Sequence, residues 1–392
     1  MDIAVAEDSY GWTSSANMVS GAACLAVICR GLMKLRLSAG SFAKHVLLLM
    51  VLAVFGIQTA SAEASDFKYE VSDNNTITIT GYSGPGGDVV IPAEIDGKPV
   101  TSVGHRAFMD HIQREHDRMI TSIRFPEGLT SVGREAFRDN RVLTDVYIPA
   151  SLTSITRPAF GRCRSIMNFH IHEDNPEFRS IDGVWYTKDM TELRHFPQGR
   201  GGEYTIPDGV TRIRDEAFRF NDNITGISIP DSVTWIGKQA FRGCEKLIGI
   251  KLPESLESLV RQGRHFMDCT SLKSIVIPDG VTEIPQHTFR GCTGLEQVTL
   301  PANLTTIQQA AFQDCTSLKQ ITIPASLTHI NGSSVFAGCE NLQGILFLGD
   351  APKVSGRDHF PSGVTIYRTP GTSGWPEPGE QWMGQKTAIS KP

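Results

Sequence analysis

Apolar positions along this chain follow one recurring order. Residues 230–252 give it as Pro230, Val233, Ile236, Ala240-Phe241, Cys244, Leu247, Ile250 and Leu252. Ile250 and Leu252 alternate with Lys251, which places two apolar side chains on one face of a strand and the lysine on the other. Pro253 then ends the strand, because proline has no N–H to give a ladder. A second short extended piece is predicted over 233–236, followed by a turn of helix around 238–241. Prolines that close such strands stand at positions 92, 126, 149, 207, 230, 253, 278, 301 and 324, so the successive steps are 34, 23, 58, 23, 23, 25, 23 and 23. Aromatic anchors keep the same step from Phe108 through Phe137, Phe160, Phe218, Phe241, Phe266, Phe289 and Phe312 to Phe336. A period this strict, in the range of solenoid repeats, predicts a stacked array. One unit buries too little apolar surface to offset the entropy of ordering it, so the units must cover one another.

The departures are as informative as the period. The step of 58 spans two and a half periods. Within it, Val184-Trp185-Tyr186 and Leu193-Arg194-His195-Phe196 predict a β-hairpin at about 176–206, in place of one repeat's usual second half. Residues 109–119 (MDHIQREHDRM) form a shorter polar insertion, and the 253–278 step carries two extra residues. Residues 63–91 read as an N-terminal β cap before repeats over 92–348. Residues 349–392 read as a C-terminal cap, with one more strand at 364–367 and with Trp375 and Trp382 over the last repeat.

The spacing L-x-x-I-x-I-P-x-x-V-x-x-I-G-x-x-A-F-x-x-C resembles the BspA-like class of bacterial leucine-rich repeat. Ile236-Gly237, Ala240-Phe241 and Cys244 carry it, as do Val132-Gly133, Ala136-Phe137 and Asn140, and the likeness spans about residues 66–348. It implies a right-handed repeat solenoid with a parallel β-sheet on one side and short 3-10 or helical turns and short strands on the other. It also implies export, since members are secreted or surface-displayed, and several are similar to adhesins that bind host or matrix proteins.

The N-terminus agrees with export. Lys34, Arg36 and Lys44 precede the apolar run VLLLMVLAVFGI, which small residues follow. Residues 1–62 are therefore expected to be an extension plus signal peptide, with translation starting at Met33 and cleavage after Ala62. The apolar run is short for a membrane span, which needs roughly 20 residues. The mature chain is expected to carry none and to act as a monomer outside the cell. A net charge of −5, with both signs interspersed, leaves no polybasic footprint and argues against nucleic acid.

Candidate chemistry narrows the choice. Six cysteines recur in phase with the repeat: Cys163, Cys244, Cys269, Cys292, Cys315 and Cys339. Zinc sites want cysteines paired two to four apart, which these are not. Stacked neighbours would have parallel Cα–Cβ vectors, which suit a disulfide badly. Asn140 and Asn221 fill the same slot elsewhere, so a buried structural thiol is the expected role. His170 and His172, with Glu173 and Asp174, read either as half a metal site or as a variable surface stretch. His105, His111 and His116 show no regular ligand spacing. Nucleophile-elbow, zincin and Walker patterns are absent. No catalytic residue, metal or cofactor is therefore expected.

What remains is surface. The position between the two strand anchors reads Arg124, Tyr147, His170, Thr205, Ser228, Lys251, Val276, Thr299 and Thr322. These side chains are expected to form one column on the solvent face of the sheet. Arg124, Tyr147, His170, Ser228, Lys251, Thr299 and Thr322 are the candidate contacts for a protein or glycan partner, since interfaces favour Tyr and Arg as anchors. A passive surface coat without a dedicated ligand is the alternative, and an enzyme a remote one.

Overall fold

The computed structural model describes residues 62–109, 119–259 and 263–390. The apolar leader and the segment 110–118 lie outside them. From Ala62 on, the chain is a β-solenoid of about 13 turns. Each turn contributes one strand to each of two parallel walls. The first wall takes the strands that end at the prolines, such as Ile224–Ser228, Gly249–Lys251 and Ser274–Val276, with Ile227 beside Ile250. The second wall takes two-residue strands such as Arg212–Ile213, Trp235–Ile236 and Ser258–Leu259, with Ile213 beside Ile236. Parallel pairing at a step of one repeat brings like residues together, so one well-packed turn serves as template for the next.

The third wall is built of turns, not of the helical turn expected around 238–241. Two residues per repeat, four apart, lie in the left-handed region: Gln239 and Gly243 (φ 55° and 72°), then Arg264 and Asp268 (61° and 64°). Left-handed residues break a helix after one turn, and they aim alternate N–H groups along the solenoid axis. Gln239, Phe241 and Gly243 donate to the carbonyls of Gly263, His265 and Met267 in the following repeat, at 3.2, 3.0 and 2.8 Å. The pattern repeats for Arg264, Phe266 and Asp268 and for His287, Phe289 and Gly291. Between these donors the phenylalanines stack. Ring centroids from Phe241 to Phe266, Phe289, Phe312 and Phe336 step by 5.3, 5.5, 5.3 and 5.3 Å at interplanar angles of 13° or less.

Among the described residues the stack breaks once. After Phe160 the chain forms an antiparallel meander, Phe178–Ile181, Val184–Thr187 and Glu192–His195, whose last strand joins the second wall beside Arg212–Ile213. This turn has no third-wall segment of its own. Phe196 resumes the stack on Phe218, at 4.9 Å, while Phe169, Trp185 and His195 fill the interval after Phe160. The strand Val184–Thr187 is a partition. Trp185 packs into the N-terminal core, and Val184 and Tyr186 pack into the C-terminal one. At the far end Trp375 and Trp382 pack on Phe347 and on each other.

The core sets two stability expectations. Phe241 is fully buried between two stacked rings, so Phe241→Ala should cost about 3–5 kcal/mol in denaturant unfolding. A loss under about 1 kcal/mol would contradict the packing. His265 stands in the slot that alanine fills in most repeats, and burial lowers its pKa to about 3. An unfolded chain protonates this histidine below about 6.5 and the folded one does not. Its contribution is therefore complete above that pH and is lost as pH falls toward the folded value. From pH 7 to pH 5 the parent protein should lose about 2 kcal/mol more than His265→Ala; equal losses would refute the assignment.

Candidate binding face

The in-phase cysteines are spoken for by the backbone. Each Sγ donates to the carbonyl of the phenylalanine one repeat earlier: Cys244 to Phe218 at 3.2 Å, Cys269 to Phe241 at 3.1 Å, Cys292 to Phe266 at 3.0 Å. Asn140 does the same work with Nδ2, 2.7 Å from the carbonyl of Phe108. Burial raises the thiol pKa of Cys163, Cys244, Cys292 and Cys315, and that of Cys269 to about 12, which removes the thiolate that nucleophilic or metal chemistry needs. His170 is bound to Asp145, and His172 lies 3.8 Å from Asp174. Among the described residues no group of three or more His, Cys, Asp or Glu is placed to hold a metal.

The residues between the strand anchors point to solvent, as the alternation requires. They do not form one unbroken column. Arg124, Tyr147 and His170 sit on neighbouring strands in direct register. Thr205, Ser228 and Lys251 share register in the next sheet, where Val276 faces Thr299. Thr322 opens a third sheet and pairs with Leu346, which pairs with Tyr367. The first interruption falls at the meander.

Only the N-terminal group is built into a cluster. The Arg124 guanidinium lies 3.4 Å from the Tyr147 ring centroid, and Tyr147 stacks on His170 at 4.4 Å and 11°. His170 Nε2 is 2.8 Å from Asp145 Oδ1, which also accepts from Asn168 Nδ2 at 3.1 Å. Burial pushes the Asp145 carboxyl upward, but hydrogen bonds from His170, Thr144 and Asn168 outweigh it and hold the group below its usual range. Glu127, Pro149, His172 and Ser180 border an open groove beside the cluster. Alternation marks Tyr147 and His170 as exposed, but Asp145 is met only once strand register is known. Ser228, Lys251, Thr299 and Thr322 are exposed and make no comparable cluster.

The family comparison agrees with this architecture. The family model for the BspA-type leucine-rich repeat region matches in six copies over residues 95–186, 202–262 and 262–356. The chain belongs to the BspA-type leucine-rich repeat family. Solved structures to which the chain is similar include a leucine-rich cell surface protein of Faecalibacterium prausnitzii. It is 22% identical, with 75% of this chain and 96% of that one covered and a TM-score of 0.42. A leucine-rich repeat protein of Bacteroides ovatus is 25% identical, covering 79% of this chain and 71% of that one, with a TM-score of 0.49. The pneumococcal vaccine antigen PcpA is 17% identical, covering 85% and 99%, with a TM-score of 0.46. A comparison with curated proteins finds no match. No helix among the described residues is long and apolar enough to cross a membrane.

BspA-type repeats in this chain thus use the cysteine slot as a main-chain clamp. Iodoacetamide at pH 8 should leave Cys163, Cys244, Cys269, Cys292, Cys315 and Cys339 unmodified in the native protein and label all six in guanidinium chloride, read by peptide mass spectrometry. Rapid native labelling of any of them would contradict the clamp.

Proposed function

We propose that this BspA-type protein is a secreted or surface-displayed, non-catalytic binding and adhesion module, which engages an extended protein or glycan partner on the first-wall sheet face. The observation that carries the reading is the stacked Arg124–Tyr147–His170 cluster. Arg and Tyr are the side chains that most often anchor interfaces. Here the arginine is already laid on the ring and the histidine already held by Asp145. Side chains ordered before contact lose less entropy on binding. Ser228, Lys251, Thr299 and Thr322 extend the face as a hydrogen-bonding flank for a long partner. The open groove beside the cluster admits a side chain or a sugar ring from that partner. The protein works as a monomer, because repetition of one sheet already supplies length.

Protein and glycan arrays probed with the purified protein identify the partner. Arg124→Ala combined with Tyr147→Ala should weaken capture at least tenfold while leaving the melting temperature within about 2 °C, since exposed cation–π contacts contribute only about 0.5–1 kcal/mol. Undiminished capture by the double variant would overturn the site. No capture above background by the parent protein would favour a passive surface coat.

A further inference from the structure

The break in the third wall leaves a cleft of about 300 Å³ between the turn at 157–162 and the turn at 214–220. Its two sides are chemically opposite. In intact pairs of repeats, N–H groups of the earlier turn meet carbonyls of the later one. At the break the earlier turn has Pro158 in the first donor position, which carries no N–H. The N–H groups of Phe160 and Arg162 occupy the other two positions, and neither has an acceptor among the described residues. Across the gap all three carbonyls are already taken. Asp215 O accepts from Arg157 at 2.7 Å, Ala217 O from the Phe196 N–H at 2.8 Å, and Arg219 O from Gln198 Nε2 at 2.7 Å. Donors are open and acceptors are capped.

Side chains add to the same imbalance. Seven arginines line the cleft against three carboxylates. Each of those carboxylates is paired: Glu135 with Arg106, Asp215 with Arg157, and Glu216 with Arg219. Just outside, Glu192 serves Arg194, Arg212 and Arg214 at 3.8, 4.0 and 3.4 Å, so one carboxylate is shared by three guanidinium groups. Asp139, also nearby, lies 3.9 Å from Arg162. Buried side-chain atoms in the lining also lack partners: the donors Trp185 Nε1 and Arg219 Nε, and the acceptor Gln198 Oε1. Trp185 and Gln198 are 5% and 4% exposed. Burial lowers the pKa of His195 to about 4, so this lining ring is neutral.

We infer that this cleft is a binding site for a small hydroxylated oxyanion, a phosphate, sulfate or carboxylate group carried on a sugar-sized body. The main-chain N–H groups of Phe160 and Arg162 and the surrounding guanidiniums take the oxyanion, whose paired oxygens suit the arginine fork. Gln198 Oε1 accepts from a hydroxyl of the body, and the Trp185 indole offers both an N–H and an apolar flank. The volume is several times that of a bare oxyanion and matches the lower range of small-molecule sites. The cleft lies on the turn wall and owes nothing to the sheet face, so each site can fail without the other.

Isothermal titration of the purified protein at constant ionic strength tests this with glucose 6-phosphate, glucuronate, inorganic phosphate and glucose. The two acidic sugars should bind, inorganic phosphate more weakly, and glucose not at all. Phosphate equal to glucose 6-phosphate would still support an oxyanion cradle and assign it to the free ion. Arg157→Gln and Arg162→Gln, both half-exposed side chains, should each weaken binding about tenfold, the effect of losing one charge-assisted hydrogen bond. Arg290→Gln, far along the array, should bind as the parent does. Absence of binding by all three anions, equal binding of glucose, or unchanged affinity in both cleft variants would overturn the site.

Discussion

Main-chain N–H groups in the turn wall, up to three per repeat, point along the solenoid axis toward the next repeat, and the phenylalanine among them stacks on the following ring. The two sheet walls alone would join the repeats only through short strands, mostly two residues long in the second wall. The third wall closes the section, and it does so with left-handed residues that no helix would tolerate. Its donors face one way and its acceptors the other, so each repeat presents a defined template to its successor. The in-phase cysteine and asparagine side chains complete that template by bonding main-chain carbonyls of the preceding turn.

A wall with this polarity cannot be interrupted without consequence. Where the meander replaces a turn, the donors of Phe160 and Arg162 lose their acceptors, and the core divides on either side of the Trp185–Tyr186 strand. Arg157 reaches across to the carbonyl of Asp215, which is an arginine substituting for a missing peptide. The same event also interrupts the exposed column on the first wall after His170. The Arg124–Tyr147–His170 cluster and the cleft therefore border the same interruption, although the two surfaces occupy different walls.

Much of the array was legible in the sequence because stacking makes the same demand of every repeat. Phe241, Leu247, Ile250 and Leu252 announce themselves as core by spacing, and Lys251 as surface by alternation. The turn wall was not legible in the same way. Gln239, Glu135 and Ala310 take left-handed conformations without being glycine, so composition suggests a helical turn where none forms. Asp145 could not be linked to His170 before strand register was known, since the two stand on neighbouring strands a full repeat apart. The cleft was hidden for a deeper reason: it is made by a turn that is missing, and sequence patterns mark what is present. The export segment was readable as a pattern, but it lies outside the described residues.

Amide hydrogen exchange read at single residues tests the central claim most directly. If the third wall is a one-way ladder broken once, the N–H groups of Phe218, Phe241, Phe266, Phe289 and Phe312 should exchange slowly, with protection near that of global unfolding. Those of Phe160 and Arg162, facing the cleft without acceptors, should exchange orders of magnitude faster in the same sample. Uniform protection across all seven amides, or fast exchange at Phe241 and Phe266, would contradict the account.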